Sequence, residues 1–179
     1  MPQPPRDRQP GHGHDHKHPD DTAVVMWINP LDLLPGDASV TTSFDAMSSG
    51  VGGGLAGLVV HSSTTGENGS SGGNKVVWMG IQVPPGWHLT GVRTCYELSG
   101  KGSYISQVRL AQLQNPPATA LVLLDDGTDL TDPGPICVDS QATDVDPAAG
   151  AVSLSYRVNF GDIADRIVIR GVGLRLSPA

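Results

Sequence analysis

Four histidines, His12, His14, His16 and His18, alternate along the N-terminal stretch, with Asp15, Asp20 and Asp21 beside them. Neutral imidazole is the common protein ligand for Zn, Ni, Cu and Co, and an open chain can bring several ring nitrogens round one ion. The segment therefore predicts transition-metal capacity, set against the plainer reading of a solvated tail. Acids suggest a second metal chemistry. Between Arg109 and Arg157 there is no basic residue, while Asp125, Asp126, Asp129, Asp132, Asp139, Asp144 and Asp146 all fall there. Hard carboxylate oxygens on a glycine-containing loop suit calcium, and Asp125, Asp126, Asp129 and Asp132 are the expected set. Their spacing is not that of an EF-hand, and Asp126-Gly127 is equally good turn chemistry. A carboxylate pair for glycosidase-type acid–base work has only the abundance of acids behind it.

The tryptophans Trp27, Trp78 and Trp87 could serve as stacking platforms or as core and interface material. Trp87 and His88 follow Pro84-Pro85-Gly86 at a strand entrance and are the expected ligand-binding pair. Trp78 shares its parity with Val76, Gly80 and Gln82, opposite the regular apolar face, which predicts that it covers a second interface. Cys95 and Cys137 sit in predicted strands on the more polar parity. They are free thiols in a reducing compartment and a cross-strand disulfide candidate in an oxidising one. Three formal motif matches fail on context. Gly69-Ser70-Ser71-Gly72-Gly73 lacks the strand before and the helix after that a nucleophile elbow needs. Gly100-Lys101-Gly102 lacks the remainder of a phosphate loop. Asn68-Gly69-Ser70 is a glycosylation sequon with no export signal ahead of it.

The elements that must position these residues follow from composition and periodicity. The chain has 179 residues and a formal net charge of −7. Of its acids 16 are Asp and only Glu67 and Glu97 are Glu, while Lys is confined to Lys17, Lys75 and Lys101. Asp prefers turns, and the best charged helix formers are nearly missing. With 23 Gly and 15 Pro, the chain is interrupted too often for long helices. Alternation is clearest at Val152, Leu154, Tyr156, Val158 and Phe160, opposite Ser153, Ser155, Arg157 and Asn159, which is a strand buried on one face. Similar patterns over 75–83, 88–98, 104–113 and 166–176, with shorter runs at 23–28, 40–44, 58–61, 119–124 and 136–139, give eight to ten strands. The run 119–124 reads as buried, and Ser99 to Ser103 reads as a hairpin loop.

The expected fold is all-β, an antiparallel two-sheet β-sandwich or jelly roll, with a closed antiparallel barrel as the alternative. Residues 1–22 form a His/Pro/Asp-rich flexible arm, and 23–179 a single sandwich domain with Gly/Ser-rich loops at 48–54 and 62–74. The acidic balance excludes nucleic-acid binding through a basic surface, and no apolar run approaches the about 18 residues of a membrane span. The N-terminus shows no secretory leader, so the default compartment is cytoplasmic, with non-classical export left open. Three functions compete. The first is a non-catalytic binding or assembly module, a homo-oligomer that takes a protein or carbohydrate ligand. The second makes the metal-binding arm the functional part. The third is a small β-barrel enzyme that draws on His61, His88, Tyr96 or Asp139 in an apolar pocket. Enzyme action is the less favoured.

Overall fold

The computed structural model describes residues 23–44, 57–114 and 119–179. The arm 1–22 and the loop 48–54 therefore lie outside the described residues. In chain order the strands are β1 (Val24–Ile28), β2 (Leu34–Pro35), β3 (Val40–Ser43), β4 (Leu58–Ser62), β5 (Val76–Ile81), β6 (Trp87–Leu98), β7 (Tyr104–Gln114), β8 (Ala120–Asp126), β9 (Ile136–Asp139), β10 (Gly150–Asn159) and β11 (Ile167–Pro178). Helical structure among the described residues is limited to two short 3-10 turns, Pro30–Asp32 and Pro147–Ala149. Each opens on a proline, with an Asn29 or Asp146 side chain accepting a backbone N–H at its start, an N-cap that satisfies an otherwise orphaned donor.

All strand pairs are antiparallel and fall into two sheets. The first runs β3-β4-β11-β6-β9, with β1 also paired to β11; the second runs β2-β5-β10-β7-β8. Because β10 alternates, its Val152, Leu154, Tyr156 and Val158 point into the space between the sheets. They meet Leu89, Val92, Tyr96 and Leu98 of β6 and Ile167, Ile169, Val172, Leu174 and Leu176 of β11. Two sheets that each bury one face against the other make an open sandwich. The barrel alternative fails because no described strand joins one sheet to the other. One buried polar contact bridges the layers: Thr94 Oγ1 donates to the Tyr156 hydroxyl at 3.0 Å, and burial pushes that phenol upward from its ordinary value.

Two local expectations need correction. Residues 99–103 do not close a hairpin, since β6 pairs with β11 and β9 while β7 pairs with β10 and β8. The segment carries the chain from one sheet to the other. The run 119–124 is not a buried strand. Among the described residues β8 pairs only with β7, and Leu121 and Val122 are exposed at this sheet edge.

The loop 62–74 is held more firmly than its Gly/Ser content suggests. Lys75 is fully buried, and its Nζ donates to the carbonyls of Thr64, Thr65 and Gly66 at 2.5, 2.9 and 2.8 Å. The ammonium also lies 5.9 Å from the Phe160 ring centroid, within cation–π range. Burial lowers the Lys75 pKa, so three carbonyl acceptors are what make a charged end tolerable there. From the other side Asp37 accepts from Ser70 N at 3.0 Å and Ser71 Oγ at 2.5 Å.

Candidate functional site

The outer face of the first sheet carries an aromatic residue on an unusually low floor. Register places Trp27 of β1 opposite Gly173 of β11, Gly173 opposite Arg93 of β6, and Arg93 opposite Asp139 of β9. These four residues form one row across four strands, and inter-strand spacing makes it about 14 Å long. Gly171 and Gly173 supply the floor. A Cβ built on Gly171 would stand 3.3 Å from Cζ3 of Trp27, and one built on Gly173 would stand 3.4 Å from the same atom and 2.6 Å from Cγ1 of Val25. Glycine inside a strand often marks such a close approach. The benzo edge of Trp27 rests where these side chains would be, and the residue is still 56% exposed. Such a ring is held from below and open above.

Beside the ring lies a fixed polar group. Arg93 donates to Asp139 through two bonds, Nε to Oδ1 and Nη2 to Oδ2, both at 2.8 Å. This fork geometry orients both partners. Hydrogen bonds from Arg93 hold the Asp139 carboxyl below its ordinary value, against the opposing effect of partial burial and with help from the Arg93 and Arg175 charges. Arg175 reaches the same carboxylate only at 3.8 Å. In the next row Gly171 lies opposite Cys95, and Cys95 opposite Cys137. The two cysteines are bonded to each other, which ties β9, and with it Asp139, to β6. Arg170 and Glu97 complete the face as a largely buried ion pair. Beyond the end of β1 a hollow of about 230 Å³ is lined by Leu31, Phe44 and Arg170 among others.

The structure scatters most of the residues singled out from the sequence. His88 does meet a carboxylate, with Nδ1 at 2.7 Å from Asp144 Oδ1. It and Trp87 line a cavity of about 370 Å³ at one end of the sandwich. No Ser, Thr, Cys or Lys lines that cavity with them. His61 lies far away: Ile167 pairs with Val60 while Ser177 pairs with His88, and ten strand residues span about 33 Å. Tyr96 is core. The residues proposed for an enzyme pocket therefore do not converge. Three of the four acids expected at a calcium site are separately engaged. Asp125 pairs with Arg109 and accepts from Gln107, Asp126 is buried, and Asp132 accepts from Gly134 N. Burial pushes Asp126 upward, but the amides of Gln141 and Thr128 outweigh it and hold its carboxyl below the usual range. Asp129 is exposed. Among the described residues no three His, Cys, Asp or Glu side chains gather round one point. His12, His14, His16 and His18 lie outside the described residues. Trp78 stands on the outer face of the second sheet, 44% exposed beside Leu34, as its parity implies.

The row Trp27–Gly173–Arg93–Asp139 was not assembled from the sequence, although one signal pointed to it. Gly171 and Gly173 lie on the outward parity of β11, and a glycine inside a strand often marks a close approach.

No family model matches the chain, and no curated protein matches it. Solved structures do. The chain is similar to part of a structure of the CBM22-1-GH10 modules of the Clostridium thermocellum endo-1,4-beta-D-xylanase 10B, complexed with xylohexaose. There the TM-score is 0.52 and the identity 10%, with 89% of this chain and 29% of that chain covered. It is also similar to a xylan-binding domain of a Paenibacillus barcinonensis xylanase, at TM-score 0.51 and 10% identity, covering 84% of this chain and 89% of that one. A third likeness is to carbohydrate-binding modules of the β-sandwich superfamily, with TM-score 0.51, 15% identity, and coverage of 80% and 57%. The chain thus spans less than a third of the xylanase 10B structure. At these identities the likeness defines the fold: this is an all-β sandwich of the architecture seen in carbohydrate-binding modules.

Proposed function

We propose that the chain is a non-catalytic β-sandwich binding module whose ligand is a carbohydrate, taken by the outer face of the first sheet. The observation that carries this reading is Trp27, exposed and seated over Gly171 and Gly173 beside the Arg93–Asp139 fork. A pyranose ring presents an apolar C–H face and a rim of hydroxyls. An indole covers the first at little entropic cost, and a fixed guanidinium–carboxylate pair offers donors and acceptors to the second. Ligand pockets combine an apolar surface with a few placed polar groups in this way. The fold is compatible with this use, since solved sandwiches of similar shape include a xylan-binding domain. The function rests on the site rather than on that likeness.

The disulfide between Cys95 and Cys137 favours an oxidising working compartment, the alternative that the sequence reading left open beside the cytoplasmic default. Titration calorimetry against a panel of soluble oligosaccharides that includes xylohexaose tests the reading. The expected outcome is saturable binding that Trp27→Ala weakens by about 10- to 100-fold, the usual cost of removing a central aromatic anchor. Trp78→Ala, on the opposite face, leaves the affinity within a factor of about two. A folded wild-type protein that binds none of the panel, or binds equally well without the Trp27 ring, overturns it.

A further inference from the structure

In the rows adjoining Trp27 two guanidinium groups meet one carboxylate, and Arg175 is the one it holds less closely. Arg170 is neutralised by Glu97, and Arg93 by Asp139 through both carboxylate oxygens. Arg175 shares that same carboxylate from 3.8 Å, too far for a hydrogen bond. Beside Trp27, the Arg93 and Arg175 guanidinium groups therefore share the single carboxylate of Asp139. The Arg175 side chain is held where it is by its strand and by a low neighbour. Gly91 lies directly opposite it, and a Cβ built there would meet Arg175 Cδ at 3.6 Å. The Arg175 carbonyl in turn accepts from Thr90 Oγ1 at 3.1 Å. Its side chain is 39% exposed, in the row adjoining Trp27, Gly173 and Arg93.

We infer that the module prefers an acidic saccharide, one whose sugar rings carry a carboxylate, and that Arg175 is the residue that selects it. This rests on the carbohydrate reading given above and narrows it. The guanidinium fork matches a carboxylate bidentately and stays charged at any working pH. A uronic-acid carboxylate docking at Arg175 would give Arg93 and Arg175 one carboxylate each. The chain as a whole is acidic, at −7, and would repel a polyanion at long range. Salt screens such repulsion beyond about 8 Å at physiological ionic strength, whereas contact pairs persist.

The test is titration calorimetry of the full chain with two probes of one backbone length, xylohexaose and a glucuronic-acid-substituted xylo-oligosaccharide, at low and moderate salt. A sulfated oligosaccharide serves as a third probe. In the wild type the uronic-acid probe should bind about tenfold tighter than the neutral one, the yield of one charged hydrogen-bonded pair. In Arg175→Gln that ratio should fall to about one, with thermal melts confirming the fold. The sulfated probe should gain less than the uronic acid, since the oxygens of a sulfate ester are weaker hydrogen-bond acceptors than those of a carboxylate. Equal affinity for the neutral and acidic probes in the wild type overturns the inference while leaving the carbohydrate reading intact. A ratio that survives Arg175→Gln, or a preference for sulfate over carboxylate, also overturns it. If no saccharide binds, the broader reading fails and takes this one with it.

Discussion

Single side chains set the pH behaviour of this protein. Asp139 is held below its ordinary carboxylate value in the folded state by hydrogen bonds from Arg93, and Asp37 is lowered by the hydroxyls of Ser39 and Ser71 and the amides of Ser39 and Ser70. A carboxyl whose folded pKa is depressed binds fewer protons folded than unfolded. Its contribution is therefore complete above about pH 4, the unfolded value, and is lost as pH falls through the folded one. Thermal melts from pH 7 down to pH 2 should show the melting temperature falling below about pH 4. Asp139→Asn should melt lower at neutral pH and lose part of that acid dependence; an unchanged slope would mean the Arg93 pair contributes nothing. Lys75 shows what residue types conceal. A lone lysine before a strand reads as a solvated charge, yet its ammonium is buried under three carbonyls. Those acceptors are backbone atoms of another segment, and no side-chain pattern announces them.

At the level of elements, period-two patterning located the strands well. β5, β6, β7, β10 and β11 lie within a few residues of the runs their sequence predicts. Partnership was not legible. The loop 99–103 has hairpin composition, but whether β7 folds back on β6 or crosses to the other layer depends on which neighbours remain available. The same limit hid the site, because Trp27, Gly173, Arg93 and Asp139 are scattered along the chain and meet only through register. β9 is the weakest member of that row, a four-residue edge strand whose only described strand partner is β6. The Cys95–Cys137 bond, closing a separation of 42 residues, compensates for that brevity. Replacing both cysteines by serine should lower stability by roughly 2–4 kcal/mol, read by denaturant unfolding. Hydrogen exchange should show the amides of 136–139 losing protection first, and saccharide affinity should fall as Asp139 loosens. Unaltered protection there would show that pairing alone holds the strand.

Considered whole, the molecule is a two-layer sandwich with the candidate site on one outer face and an exposed Trp78 on the other. The composition read as all-β holds, and the sandwich was legible because Asp, Gly and Pro enrichment and alternating strands all pointed the same way. The spacing of His12, His14, His16 and His18 makes them conspicuous and carries the alternative metal reading, while the chemistry proposed here lies in residues 27–175. A chain lacking residues 1–22 should therefore bind the saccharide panel with the affinity of the full chain, by calorimetry, with and without chelator. A loss of more than a few-fold on deletion would give the arm a part in binding.

The position of β11 has a consequence for biosynthesis. It is the last strand in the sequence, yet it is the one on which β1, β4 and β6 all converge. Among the described residues β1 has no other strand partner. While the ribosome is still translating, β1 waits with both edges unpaired, and the floor beneath Trp27 has not been made. The pairs that β1, β4 and β6 make with β11 therefore wait until residues 167–178 emerge, by which point every strand of the second sheet has been made. A chain stopped short of Gly171 would keep Trp27, Arg93 and Asp139 but lose the strand that seats the indole beside the fork, and would show bare strand edges to its neighbours.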